Sequence, residues 1–125
     1  MATKTSTYSM PRGDTRTLSI SIPLSIYSTG ASIFFTMKKT IDADATDAQA
    51  VVKKTLTDAN ITSTTSTKNY LMTLTPSDTT NVTPDTYRAE FEYVSADKAT
   101  VITYPDPHVM LFNIEITGDV GRRIT

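Results

Sequence analysis

With 125 residues, no Cys and a formal net charge of −1, the chain has the size of one domain. It has neither disulfides nor thiolate metal ligands, and it lacks the positive field that nucleic acid or acidic membranes require. The opening MATKTSTYSMPRGD has no apolar signal-peptide core and no apolar run reaches membrane-spanning length, so synthesis and folding in a cytoplasm are expected.

Thr is the commonest residue by a wide margin, and a β-branched polar side chain suits the wet face of a sheet. Residues 1–10 are polar and read as an extended arm. From Thr17 to Pro23, Leu18, Ile20 and Ile22 alternate with Thr17, Ser19 and Ser21, the period-2 signature of a half-buried strand that Pro23 ends. Tyr27-Ser28-Thr29-Gly30 is a turn. Ser32 to Lys39 is the next strand, with Ile33, Phe35 and Met37 on one face and Phe34 on the other. Thr40 to Ala50 is an acidic, Ala-rich loop in which Asp47 is placed to cap a short helix. Val51 to Leu56 reads as a short strand and Ile61 to Thr67 as a polar hairpin. Tyr70, Met72 and Leu74 share a face of the following strand; Pro76 stops it, and Ser77-Asp78 are placed to cap one helical turn. Pro84-Asp85 leads into Thr86 to Val94, where Tyr87, Ala89, Phe91 and Tyr93 face one way and Arg88, Glu90 and Glu92 the other. Ala96-Asp97-Lys98 turns the chain into Thr100 to Tyr104, and Pro105-Asp106-Pro107 interrupts. His108 to Thr117 is the last strand, with Met110, Phe112, Ile114 and Ile116 toward the core, and Gly118 to Thr125 is a polar tail.

Short strands separated by turn signals, with no sustained helical period, predict one all-β domain. The expected form is an antiparallel two-sheet sandwich of seven or eight strands over residues 11–117, flanked by the arm (1–10) and the tail (118–125). Tyr87 opens a strand directly after a Pro-bearing crossover. A Tyr placed just after such a turn, at the mouth of a strand, resembles the tyrosine corner of immunoglobulin-like sandwiches. The expected fold is therefore immunoglobulin-like.

Chemistry-bearing motifs reduce to local structure. Arg12-Gly13-Asp14 spells an integrin-binding tripeptide, but a Gly entering a strand and an Asp bonding a nearby N–H explain it as a turn. Asp42, Asp44 and Asp47 do not make an EF-hand: counting from Asp42, Asp47 and Lys53 stand where Gly and Glu are needed. His108, with Asp106 nearby, has no G-x-S-x-G nucleophile to serve, and a lone histidine excludes a multi-His metal cluster within the chain. Asn60-Ile61-Thr62 and Asn81-Val82-Thr83 match glycosylation sequons without a secretory signal. No catalytic residue, cofactor or metal site is expected, and the chain reads as non-enzymatic. What remains are contact residues. Tyr8, Tyr27, Phe34 and Tyr104 are aromatics suited to a partner protein or to a sugar platform, Met10 belongs to the arm, and Arg122-Arg123 offer a grip on an acidic partner.

The order of several segments is itself informative. Arg12-Gly13-Asp14-Thr15 precedes Thr17-Leu18-Ser19-Ile20; then come Gly30 to Lys39 (GASIFFTMKK), the Asp/Ala-rich loop from Asp42 to Ala50, Leu74-Thr75-Pro76-Ser77-Asp78-Thr79, and Pro84-Asp85-Thr86-Tyr87. This order resembles the N-terminal domain of baseplate upper proteins and related small tail and virion proteins of tailed bacteriophages. The crossover departs from that pattern in carrying Pro84-Asp85 where Pro-Gly is expected. The resemblance implies a structural protein of the virion, made in the bacterial cytoplasm. It would dock to other virion structural proteins in multiple symmetric copies, without nucleic acid or membrane partners. It points to the tail or baseplate; head or neck decoration is the alternative location, and a carbohydrate-binding adhesion module the alternative class.

Overall fold

The structure, a computed structural model, describes residues 4–39, 50–63, 67–104 and 110–118. Among them the chain forms nine strands: β1 (Lys4–Pro11), β2 (Arg16–Pro23), β3 (Ser32–Lys39), β4 (Val52–Leu56), β5 (Ile61–Ser63), β6 (Thr67–Leu74), β7 (Asp85–Val94), β8 (Val101–Tyr104) and β9 (Met110–Thr117). A one-turn helix, α1 (Pro76–Thr79), joins β6 to β7, and a 3₁₀ turn (Asp58–Asn60) joins β4 to β5. The result is an all-β, two-sheet sandwich, as the alternation predicts. The larger sheet runs β1-β9-β7-β3-β4, with β8 also paired to β7, and the smaller runs β2-β6-β5. The pairings are antiparallel except that of β1 with β9, which is parallel.

β7 is the spine of the larger sheet. β3 lies along one side of it from Tyr87 to Val94. Its other side is shared, with β9 against its first half and β8 against its second. Alternation along these strands decides the core. Tyr87, Ala89, Phe91 and Tyr93 are buried while Arg88, Glu90 and Glu92 stay half-exposed. Ile20, Ile22, Tyr70, Met72 and Leu74 of the smaller sheet belong to the same apolar cluster. Phe35 and Phe91 sit opposite each other in register, ring centroids 5.0 Å apart and tilted by 49°. Fully burying one such side chain contributes about 1.5–3 kcal/mol.

The arm expected over residues 1–10 is instead a strand from Lys4 onward. β1 places Tyr8 opposite Ile114 and Met10 opposite Ile116, and Met10 is fully buried. The Ser and Thr residues that give this stretch its polar character alternate with the inward row: Ser9 Oγ donates to Glu115 Oε1 at 2.7 Å. The strand count rises to nine accordingly. Of the expected tail only Gly118 falls within the described residues.

Candidate functional site

One end of the sandwich is gathered by the crossover between β6 and β7. Thr75 precedes α1 in extended backbone, and Pro76 enters the first turn of the helix, where a missing N–H costs nothing. Asp78, rather than the Ser77-Asp78 pair, closes that turn. Its Oδ2 accepts the Thr75 N–H at 2.7 Å and the Thr75 hydroxyl at 3.1 Å. The same oxygen receives Lys54 Nζ at 2.8 Å. Burial acts to raise the Asp78 carboxyl, but the Lys54 contact and the Thr75 hydrogen bonds outweigh it and hold the group below its ordinary value. Lys54 is in register with Phe35, so it lies on the inward side of β4. Thr79 is buried and its hydroxyl accepts the Gly13 N–H at 2.8 Å. Gly13 adopts φ +83°, open to glycine without strain. The Tyr87 hydroxyl donates to Thr83 O, four residues upstream. Burial first, then the charge of Asp85, pushes the Tyr87 phenol up.

The opposite end is held by Tyr93. Its hydroxyl accepts the Ser28 N–H at 2.9 Å and donates to Ile26 O at 3.1 Å, clamping the β2–β3 connection. Asp58 fastens the same connection from the other side, accepting the Tyr27 hydroxyl and the Gly30 N–H, each at 2.9 Å, with separate oxygens. Lys68 Nζ stands 5.0 Å from the Tyr27 ring centroid. Burial and the bond to Asp58 raise the Tyr27 phenol. Tyr70 is fully buried beneath this group, and its hydroxyl has no hydrogen-bond partner among the described residues. Burial, and then the charges of Tyr27, Asp58 and Tyr93, push that phenol far up, so it stays neutral. Sequence reasoning missed this cluster, because its partners are far apart in the chain.

The expected contact residues do not converge. Tyr8 and Tyr104 lie on the inner face of the larger sheet, half-buried against the core. Tyr27 is engaged by Asp58 and Lys68 at the β2–β3 end. Phe34 faces outward from β3 and is 39% exposed, and Val101 of β8 is exposed on the same face. Met10 is a core residue, not an arm contact, because parallel pairing with β9 turns it inward. Arg122 and Arg123 lie outside the described residues, as do His108, Asp106, Asp42, Asp44 and Asp47. Arg12-Gly13-Asp14 is built into the β1–β2 turn: Gly13 is bonded to Thr79, and Asp14 pairs with Arg16 at 3.2 Å. Asn60 Oδ1 accepts the Thr57 N–H at 2.9 Å within its own turn. Among the described residues no cluster of three or more His, Asp or Glu is placed to hold a metal, and no helix is long and apolar enough to cross a membrane.

The two outer faces differ in chemistry. The larger sheet presents Arg88, Glu90 and Glu92 of β7 beside Glu115 of β9, and Arg88 Nε donates to Asn113 Oδ1 at 2.8 Å. A shallow depression on this face is lined by Thr36, Lys38, Arg88 and Glu90. The smaller sheet sets Thr17, Ser19 and Ser21 beside Thr73, Leu71 and Asn69, with no charge in either row. Ser21 Oγ donates to Asn69 Oδ1 at 2.6 Å. Together these surfaces offer one charged face and one hydroxyl face, both suited to contact. No family model matches the chain, and no curated protein matches it.

Proposed function

We propose that the chain is a structural component of a bacteriophage virion, a non-enzymatic adaptor of immunoglobulin-like fold that docks to other virion proteins in the tail or baseplate region. The observation that carries this reading is the ordered set of segments Arg12 to Thr15, Gly30 to Lys39, Leu74 to Thr79 and Pro84 to Tyr87, with its resemblance to the N-terminal domain of baseplate upper proteins. Two of those segments touch, through the Gly13–Thr79 hydrogen bond. Strand order supports the immunoglobulin-like part. β2-β6-β5 corresponds to B-E-D, and β9 with β8, then β7, β3 and β4, corresponds to G, F, C and C′, with Tyr87 at the mouth of F. Ala89 stands where antibody domains carry their second Cys, and the Phe35–Phe91 pair fills the core without a disulfide.

A sandwich by itself carries no function, so the test is location. Gold-labelled antibody against this chain, applied to intact virions and viewed by electron microscopy, is expected to mark the tail tip. Label on the head or neck replaces the adaptor role with decoration. Absence of the chain from the proteome of purified particles overturns the virion reading. A sugar platform draws no support from the geometry, since Tyr8 and Tyr104 face inward, Tyr27 is bonded to Asp58 and Phe34 faces outward.

A further inference from the structure

Among the described residues β1, β4, β2 and β5 end the two sheets and the short β8 is paired to β7 alone, and these edges are not equally guarded. β4 and β5 border one side. β4 is five residues long and holds Lys54 inward, clamped to Asp78; an inward charge on an edge strand discourages another strand from pairing with it. β5 has three residues and an irregular register. The other side is formed by β1 and β2, where β2 carries an inward charge only at its first residue, Arg16, in register with Leu74 and ion-paired with Asp14. Among the described residues β2 pairs with β6 alone, leaving its second edge open over eight residues. From Thr17 to Pro23 it carries no charge, and β1 is uncharged from Thr5 to Met10. A long, neutral, open edge is a template for strand addition.

We infer that β2 is the edge through which the chain associates with a second copy of itself, the two β2 strands pairing antiparallel about a two-fold axis and joining their smaller sheets into one. The residue pattern selects this occupant. Antiparallel pairing with Ser19 opposite Ser19 sets Thr17 against Ser21 on the outer face and Leu18 against Ile20 on the inner, like against like from Thr17 to Ser21, with Arg16 opposite Ile22 beyond them. The nearest charges, Asp14 and Arg16, form an ion pair at one end of the strand. Antiparallel pairing sends them to opposite ends of the dimer, where they meet the neutral Ile22 to Leu24 segment. Leu24 is 45% exposed and Leu18 half-buried, so a second copy covers apolar surface at this edge as well as backbone.

The inference rests on the assembly reading above for its setting, and the test separates the two. Sedimentation of the 125-residue chain over a wide concentration range is expected to show a reversible monomer–dimer equilibrium. Ser19 and Ser21 are exposed and face outward, so charges placed there leave the fold intact, which circular dichroism checks. The Ser19→Lys/Ser21→Lys variant sets like charges against each other and is expected to weaken association about tenfold or more, as is Ser19→Glu/Ser21→Glu. An equimolar mixture of the two is expected to restore it. Hydrogen exchange of β2 amides should slow with concentration in the wild type while β6 amides do not change. A wild type that stays monomeric, a Lys variant that associates as tightly, or a mixture that fails to recover overturns the inference. So does protection of β2 only inside the particle, which assigns the edge to a different chain. A monomer found in labelled virions leaves the assembly reading standing, whereas a dimer absent from particles removes that reading and keeps the edge.

Discussion

Tyr87 and Tyr93 leave β7 on the same face, near its two ends, and each ties down one end of the sandwich through its hydroxyl. They do so over very different chain distances. Tyr87 bonds Thr83, within its own crossover, and α1 then links that crossover outward through Gly13 and Lys54. Tyr93 reaches directly to Ile26 and Ser28, more than sixty residues back, and secures a connection that Asp58 holds from the other side. One end is a local motif with long-range attachments, and the other is a long-range clamp with no local motif. The local end can preorganise before the sheets pack. The clamp forms only when β3 and β7 are already in register, because both of its partners lie just before β3. Stability at the clamp is therefore tied to global packing, while the corner is part of a semi-autonomous turn.

The sharpest way to break this contrast is Tyr93→Phe. It keeps the ring in the core and removes both hydrogen bonds, leaving the Ser28 N–H and the Ile26 carbonyl without their partner. An unsatisfied buried group costs about 1–3 kcal/mol. Both sit in a part-buried connection that water can reach, so the expected loss is about 2 kcal/mol in total. Denaturant titration measures it. Hydrogen exchange should rise across residues 24–31, with no change around α1. A loss confined to the α1 end would contradict the assignment of the clamp.

Tyr87→Phe is expected to cost less, about 1 kcal/mol, because a single carbonyl loses its donor. The effect should appear in residues 80–86 first. The double variant sharpens the comparison further. Groups that share no partner add within about 0.5 kcal/mol, and Tyr87 and Tyr93 share none of the bonds described above. Strong coupling between the two substitutions would mean that the ends communicate through β7, and the picture of two independent fastenings would fail.

The same contrast explains what could be read from the chain. β3 was legible to the residue, and β2, β4 and β7 to within one residue at either end, because apolar alternation is a local property. The position of Tyr87 just after the crossover was legible, and its acceptor lies only four residues upstream. The Tyr93 clamp and the Tyr27–Asp58 bond were not, since nothing near Tyr93 or Asp58 in sequence marks residues 26–30 as partners. β1 was misread as an arm for the same reason. Its Thr and Ser residues give a polar average, and the partner that makes it a strand, β9, is about a hundred residues away. The facing of the contact residues was not legible. Choosing aromatics by type has no access to facing, and pairing turned Tyr8, Met10 and Tyr104 toward the core.

The smallest expected effect concerns charge, and it separates the ends by pH. Asp78 at the corner end is held below the ordinary carboxylate value of 3.8, because Lys54 and Thr75 outweigh its partial burial. Between its folded and ordinary values the unfolded chain binds the proton more readily, so acid draws the equilibrium toward unfolding. The contribution of Asp78 is thus present above about pH 4 and is lost as pH falls through the lowered folded value. Asp97, in the exposed β7–β8 turn, is lowered too, by the Ser95 hydroxyl and the Ala99 N–H, so the acid slope of the wild type mixes both ends. Asp78→Asn isolates one of them. It removes the charge facing Lys54 and is expected to cost about 1 kcal/mol at neutral pH, given that both side chains are about a quarter or less exposed. The gap to wild type should close as pH drops below the lowered folded value of Asp78, where the wild-type carboxyl is itself protonated. A gap that persists unchanged in acid would assign the role of Asp78 to the geometry of the α1 turn, and Lys54 would then guard its edge without help from the ion pair.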